Sequence, residues 1–156
     1  MRKIVFICAV MLVPYSFADE CNVGEIMVAS CNLPGKVQRL AVFCAKKNND
    51  TVRYSFKKNN ITELSVDFSS KNKMKRWVDL GTYSTYLGFN KGEYSYVLIV
   101  PEERPDAVAL LQISKSGEKI STRRCKSNSF GEQHIKRSSI EDVPDEKVRD
   151  NGFKFP

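Results

Sequence analysis

An all-β domain, a single antiparallel sandwich or barrel of about eight strands in a meander, is predicted by three observations. Short apolar runs alternate with polar residues at a period of two. Turn signals rich in Gly, Pro and Asn recur at roughly twelve-residue spacing. No segment sustains the period of 3.6 that an amphipathic helix requires. Together these favour hairpins closing over one core.

The elements follow in order. Residues 25–31 and 38–45 read as strands around a turn containing Pro34-Gly35. Residues 51–56 alternate cleanly, with Val52, Tyr54 and Phe56 opposite Arg53 and Ser55. After Asn59-Asn60, residues 61–68 put Leu64, Val66 and Phe68 on one face. Residues 83–89 and 93–100 bracket Asn90-Lys91-Gly92, a hairpin signal, and residues 108–113 and 119–125 bracket Ser116-Gly117. Tyr83, Tyr86, Phe89, Tyr94 and Tyr96 gather around one hairpin, where core packing is the simplest role and a tyrosine-rich contact surface the sharper one. Two stretches stand outside the meander. Residues 69–81 read as a long connection with four basic residues and the only Trp, and residues 127–156 as a polar tail, partly disordered or strapping the domain.

Residues 1–18 have the layout of a secretory signal peptide. Arg2 and Lys3 precede an apolar run from Ile4 to Val13, and Ser16-x-Ala18 supplies a small-residue cleavage site. The run is about half the length that a membrane-spanning helix needs. The mature β domain, residues 19–126 with its tail, is therefore expected to begin after Ala18 and to work in the periplasm.

Cys8 leaves with the signal, and Cys21, Cys31, Cys44 and Cys125 remain. An even number of cysteines in an exported chain reads as two disulfides. Extended residues 25–31 span about 20 Å, and the short return from Cys21 to Gly24 covers at most about 13 Å, so Cys21 pairs poorly with Cys31. A turn at Pro34-Gly35 sets Cys31 opposite Gln38 and leaves Cys44 out of its reach. Cys21–Cys44 with Cys31–Cys125 fits best.

Loss of Arg2 and Lys3 from the 25 Lys+Arg leaves a charge of about +5 against 18 Asp+Glu. The charges are interspersed, with no stripe of cations and stacking aromatics of the kind that binds nucleic acid. A basic balance favours a partner acidic at its contact surface, with weak association to an anionic membrane surface as a secondary expectation.

Chemistry-bearing patterns are few. His134 is the single imidazole and lies in the polar tail, so no Ser or Cys nucleophile has an evident base. No Cys-x-x-Cys pair, Gly-rich phosphate loop or Asp-rich calcium loop is present, and no catalytic residue, metal or cofactor is expected. The binding candidates are Lys73, Lys75, Arg76 and Trp77 in the long connection, with Tyr83 and Tyr86 just beyond it, because recognition residues gather on loops of rigid scaffolds. The blander role for Trp77 is to plug one end of the domain.

The segments Cys31-Asn-Leu-Pro-Gly-Lys36, Arg39 to Phe43-Cys44-Ala45, Tyr54-x-Phe56 and Glu63-Leu64 resemble a group of small exported all-β proteins of Gram-negative bacteria. In plan the chain is also similar to periplasmic immunity and inhibitor proteins. It lacks the Ser-Gly-x-Arg-Tyr loop of the membrane-bound C-type lysozyme inhibitors, and its positive charge opposes a basic lysozyme target. The resemblance implies a non-enzymatic protein that occludes the active site of an antibacterial toxin, such as a secreted lipase or cell-wall hydrolase. An envelope-associated module for glycan or anionic lipid is the alternative.

Overall fold

Strand β2 (Arg39–Lys46) explains the layering. Ala41, Phe43 and Ala45 point one way into the main core, while Leu40, Val42 and Cys44 point the other way and pack with Cys21 and Met27. An interior strand covered on both faces carries an unbroken apolar run. The computed structural model describes residues 20–126 and 129–156; the expected signal peptide, residues 1–18, lies outside the described residues.

Two sheets face each other as a sandwich, not as a closed barrel. The first joins β1 (Glu25–Leu33), β2, β3 (Val52–Lys58) and β4 (Ile61–Phe68) in sequence order. The second joins β5 (Met74–Asp79), β6 (Ser84–Lys91), β7 (Tyr94–Val100), β8 (Leu110–Lys115) and β9 (Glu118–Arg124) in the same manner. Phe43, Tyr54, Phe68, Phe89 and Tyr96 fill the space between them. Phe43 and Tyr54 rings lie 4.9 Å apart, Tyr54 and Phe89 4.9 Å, and Phe89 stacks on Tyr96 at 5.2 Å. These are preferred separations for aromatic pairs.

The long connection expected over residues 69–81 is corrected. Met74–Asp79 is a strand, pairing antiparallel with β6 from Lys75↔Gly88 to Asp79↔Ser84. Its period-two signal is hidden by cations at positions 73, 75 and 76, because the charge of Arg76 is neutralised only by a residue far along the chain.

The tail supplies that residue. β10 (Ser129–Phe130) adds to the outer edge of β1, and Gly131 follows it. A Cβ at Gly131 would stand 2.2 Å from the Met27 carbonyl oxygen, at a bulge in β1, and Glu132 N donates to that oxygen at 2.8 Å. The chain then crosses to the second sheet. There β11 (Ile140–Asp142) pairs parallel with β5, and α1 (Asp145–Asp150) closes over its outer side with Val148 buried.

Both disulfides pair as the strand spacing predicted. Cys21–Cys44 ties the N-terminal segment to β2 with Cα atoms 5.7 Å apart, and Cys31–Cys125 joins β1 to the end of β9 at 5.1 Å. The loops they close differ in length, 23 against 94 residues. Removing the longer cross-link by Cys31→Ala with Cys125→Ala is expected to cost about 4–5 kcal/mol, against about 3 kcal/mol for the shorter pair. Urea unfolding of the two double variants tests the order; an equal loss in both would refute the loop-entropy account.

Gly131→Ala is expected to destabilise the fold by about 1–3 kcal/mol, through overpacking against backbone. The same chemical denaturation series measures the loss, and an unchanged midpoint would refute the overpacking.

Candidate protein-binding surface

Arg76 and Trp77 are adjacent on β5 and therefore point to opposite faces of the sheet. Neither is presented to solvent, each being 3 % exposed. Arg76 makes a bidentate ion pair with Asp142, its register partner on β11, with Nε–Oδ1 2.6 Å and Nη2–Oδ2 2.9 Å. Its Nη1 also donates to the carbonyls of Gln133 at 3.0 Å and Ile135 at 2.8 Å. The hydrogen bonds from Arg76, helped by Lys136, hold the Asp142 carboxyl below the usual carboxylate range.

On the opposite face the Trp77 indole stacks 4.2 Å from the Tyr86 ring. Its Nε1 donates to Asp145 Oδ1 at 2.8 Å. Phe155 reaches over both rings, at 6.0 Å from Trp77 and 6.2 Å from Tyr86. It also lies 3.1 Å from where a Cβ on Gly88 would stand, so β6 carries glycine where the tail crosses it. Burial, and then the Asp79 carboxylate, push the Tyr86 phenol up.

The turn from β5 to β6 is built on Asp79. Its carboxylate accepts from Gly81 N and Thr82 Oγ1, both at 2.9 Å, and from Arg149 of α1. Arg149 Nε donates in turn to Asp145 Oδ2 at 2.7 Å, which lowers the Asp145 carboxyl as well. Asp79, Arg149, Asp145 and Trp77 thus form one chain of charge-assisted hydrogen bonds from the turn to the tail. Tyr83 N donates to the Asp79 carbonyl at 2.7 Å, and Tyr83 takes a left-handed conformation, φ 55°.

This base leaves three large apolar side chains outside. Leu80 is 62 % exposed, Tyr83 63 % and Phe153 58 %. Arg149 lies near them, with its guanidinium 5.3 Å from the Phe153 ring centre and against Gly81, next to Leu80 in the chain, while Leu80 also borders the cleft beside His134. An aromatic, leucine and arginine surface on a fixed turn has the composition of an interaction hot spot.

Of the six residues singled out from sequence, Tyr83 belongs to this surface and Lys73 is exposed nearby on the chain. Lys75 and Tyr86 are half-buried, and Arg76 and Trp77 are taken up in holding the tail. The loop expected to present Lys73, Lys75, Arg76 and Trp77 is therefore corrected: from Met74 it is a strand whose Arg76 and Trp77 face protein. Leu80, Arg149 and Phe153 were missed. Exposure of a single Leu or Phe leaves no periodic trace in sequence, and Arg149 joins them only once α1 docks.

His134 is exposed and borders a cleft of about 400 Å³ with Arg76, Lys136, Asp142 and Asp145. The two carboxylates there are engaged by Arg76 and Arg149, and His134 has no hydrogen-bond partner among the described residues. Cys21, Glu25 and Cys44 come within 4.8 Å of one another, but their two sulfurs are joined to each other and are not thiolates.

No family model matches the chain, and no curated protein or solved structure matches it. The class is accordingly the one the architecture defines, a two-sheet all-β sandwich stapled by two disulfides, a feature consistent with an oxidising, exported compartment.

The tail anchors titrate in acid. Asp142 and Asp145 have carboxyls depressed in the folded state, so the stability they contribute is present above the ordinary carboxylate value, about 3.9, and is lost as pH falls below it. Trp77, the only Trp, reports this contact directly. Its emission is expected to shift red below about pH 4 before the far-ultraviolet circular dichroism of the sheets changes. Asp142→Asn should move that shift toward neutral pH. Coincident loss of both signals in both proteins would show that the tail is not a separate acid-sensitive unit.

Proposed function

We propose that the chain is a periplasmic immunity or inhibitor protein that binds an antibacterial effector enzyme, such as a secreted lipase or cell-wall hydrolase, and covers its active-site mouth. The surface of Leu80, Tyr83, Arg149 and Phe153 carries this reading. Exposed aromatics on a hydrogen-bonded turn, Tyr83, and on the docked tail beside Arg149, Phe153, lose little conformational entropy on binding, which leaves more of their burial as affinity. The net positive charge steers an acidic partner toward the protein and adds to the rate of encounter. The two disulfides support an exported site of action, and the rigid sandwich supports occlusion over induced closure.

The test is affinity capture from the producing organism's lysate and secretions, with the full oxidised chain as bait. One stoichiometric partner with hydrolase activity that the protein inhibits is the expected result. Tyr83→Ala and Phe153→Ala should each weaken that complex by about thirtyfold or more, the scale of a hot-spot residue, with circular dichroism unchanged. Lys73→Ala should change it little. Retention of the protein on wall or membrane fractions instead, reversed by salt, would overturn the inhibitor reading in favour of an envelope ligand.

A further inference from the structure

Far from the β5–β6 turn, the two sheets part at one end to leave a cleft of about 240 Å³. Its apolar walls are Leu33, Phe56, Leu111 and Ile113, and two arginines, Arg39 and Arg123, share the lining. The alternation of the strands turns both arginines toward the cleft, with Arg39 half-buried and Arg123 exposed at its mouth. Arg39 stands two residues before Ala41 on the core face of β2, and Arg123 is the register partner of Leu111. Among the described residues neither guanidinium has an ion-pair or hydrogen-bond partner.

An inward charge on an edge strand is a known guard against sheet-to-sheet aggregation, and that accounts for Arg123 on β9. It does not account for Arg39, because β2 is interior to its sheet. Two cations at the mouth of an apolar cleft, with no carboxylate among its lining residues, present fork donors to whatever enters it. A ligand with one anionic head and a short apolar body satisfies both parts. The volume sets its size: at about 30 Å³ per water the cleft corresponds to roughly eight waters, room for a ligand of about ten heavy atoms.

We propose that this cleft binds a medium-chain carboxylate. The carboxylate accepts hydrogen bonds from Arg39 and Arg123, and the chain lies against Leu33, Phe56, Leu111 and Ile113. The site does not depend on the protein-binding surface, and a phospholipid with two long acyl chains exceeds it.

Titration of sodium octanoate into the full oxidised chain, followed by methyl NMR, tests this. Saturable shifts confined to the methyls of Leu33, Leu111 and Ile113 are expected. Arg39→Gln and Arg123→Gln should each weaken binding by about tenfold, the scale of a lost charged hydrogen bond. Arg39→Lys should restore part of the loss, and 1-octanol should bind about tenfold more weakly than octanoate. Ser121→Trp, which fills the cleft and leaves both arginines, should abolish the shifts and keeps the test open if an arginine variant folds poorly. Equal binding of octanol and octanoate would overturn the anionic site. Absence of shifts with octanoate would overturn the cleft as a ligand site. Shifts seen only with anionic phosphatidylglycerol vesicles would reassign both arginines to a membrane surface.

Discussion

A guanidinium buried to 3 % exposure in β5 is tolerated only because Asp142 and the carbonyls of Gln133 and Ile135 reach it from about sixty residues away. Burial strips Arg76 of water, and an unmatched charge there would cost several kcal/mol. The bidentate pair and two carbonyl acceptors satisfy four of its five donors in the tail-docked state. The tail is thereby committed to one register on β5, the parallel pairing of Ile140↔Met74 through Asp142↔Arg76. The contacts the tail makes beyond the second sheet's edge depend on that register. It places Asp145 under the Trp77 indole, Arg149 beside Asp79 and Phe155 over Gly88, and so positions the exposed surface on the β5–β6 turn.

The same tail solves a problem common to sandwiches. Unpaired strand edges invite association with other chains. β10 covers β1 and β11 covers β5, so one segment closes an edge of each sheet. The other two edges, β4 and β9, carry charge: Glu63 and Asp67 on one, Lys119, Arg123 and Arg124 on the other. Capping and charge divide the work between the two pairs of edges.

Much of the sandwich is legible in the sequence because its signals are local. The alternation of Val52, Tyr54 and Phe56 fixes which face of β3 is buried, and Asn90-Lys91-Gly92 and Ser116-Gly117 mark hairpins within a few residues. The cysteine pairing is readable for a related reason: extended chain has a fixed rise, so strand spacing rules out the other partners. β5 was hidden because its inward cation contradicts the pattern until Asp142 arrives. The tail was hidden because its anchors, Asp142, Asp145 and Arg149, look like ordinary surface charges when taken singly.

The candidate surface divides along the same line. Tyr83 was named from sequence, but the exposure of Leu80, Tyr83 and Phe153 together, and the withdrawal of Arg76 and Trp77 from it, are properties of the docked tail. Arg39 and Arg123 stand more than eighty residues apart in the chain and share a cleft only across the inter-sheet gap. By itself the sequence determined strand faces, hairpin turns, disulfide partners and net charge, since each rests on spacing or composition along a short stretch of chain. Tertiary structure alone decided which charges are buried, which rings face water and where two distant cations share a cleft, since burial is set by what packs against a residue, and those neighbours come from remote parts of the chain.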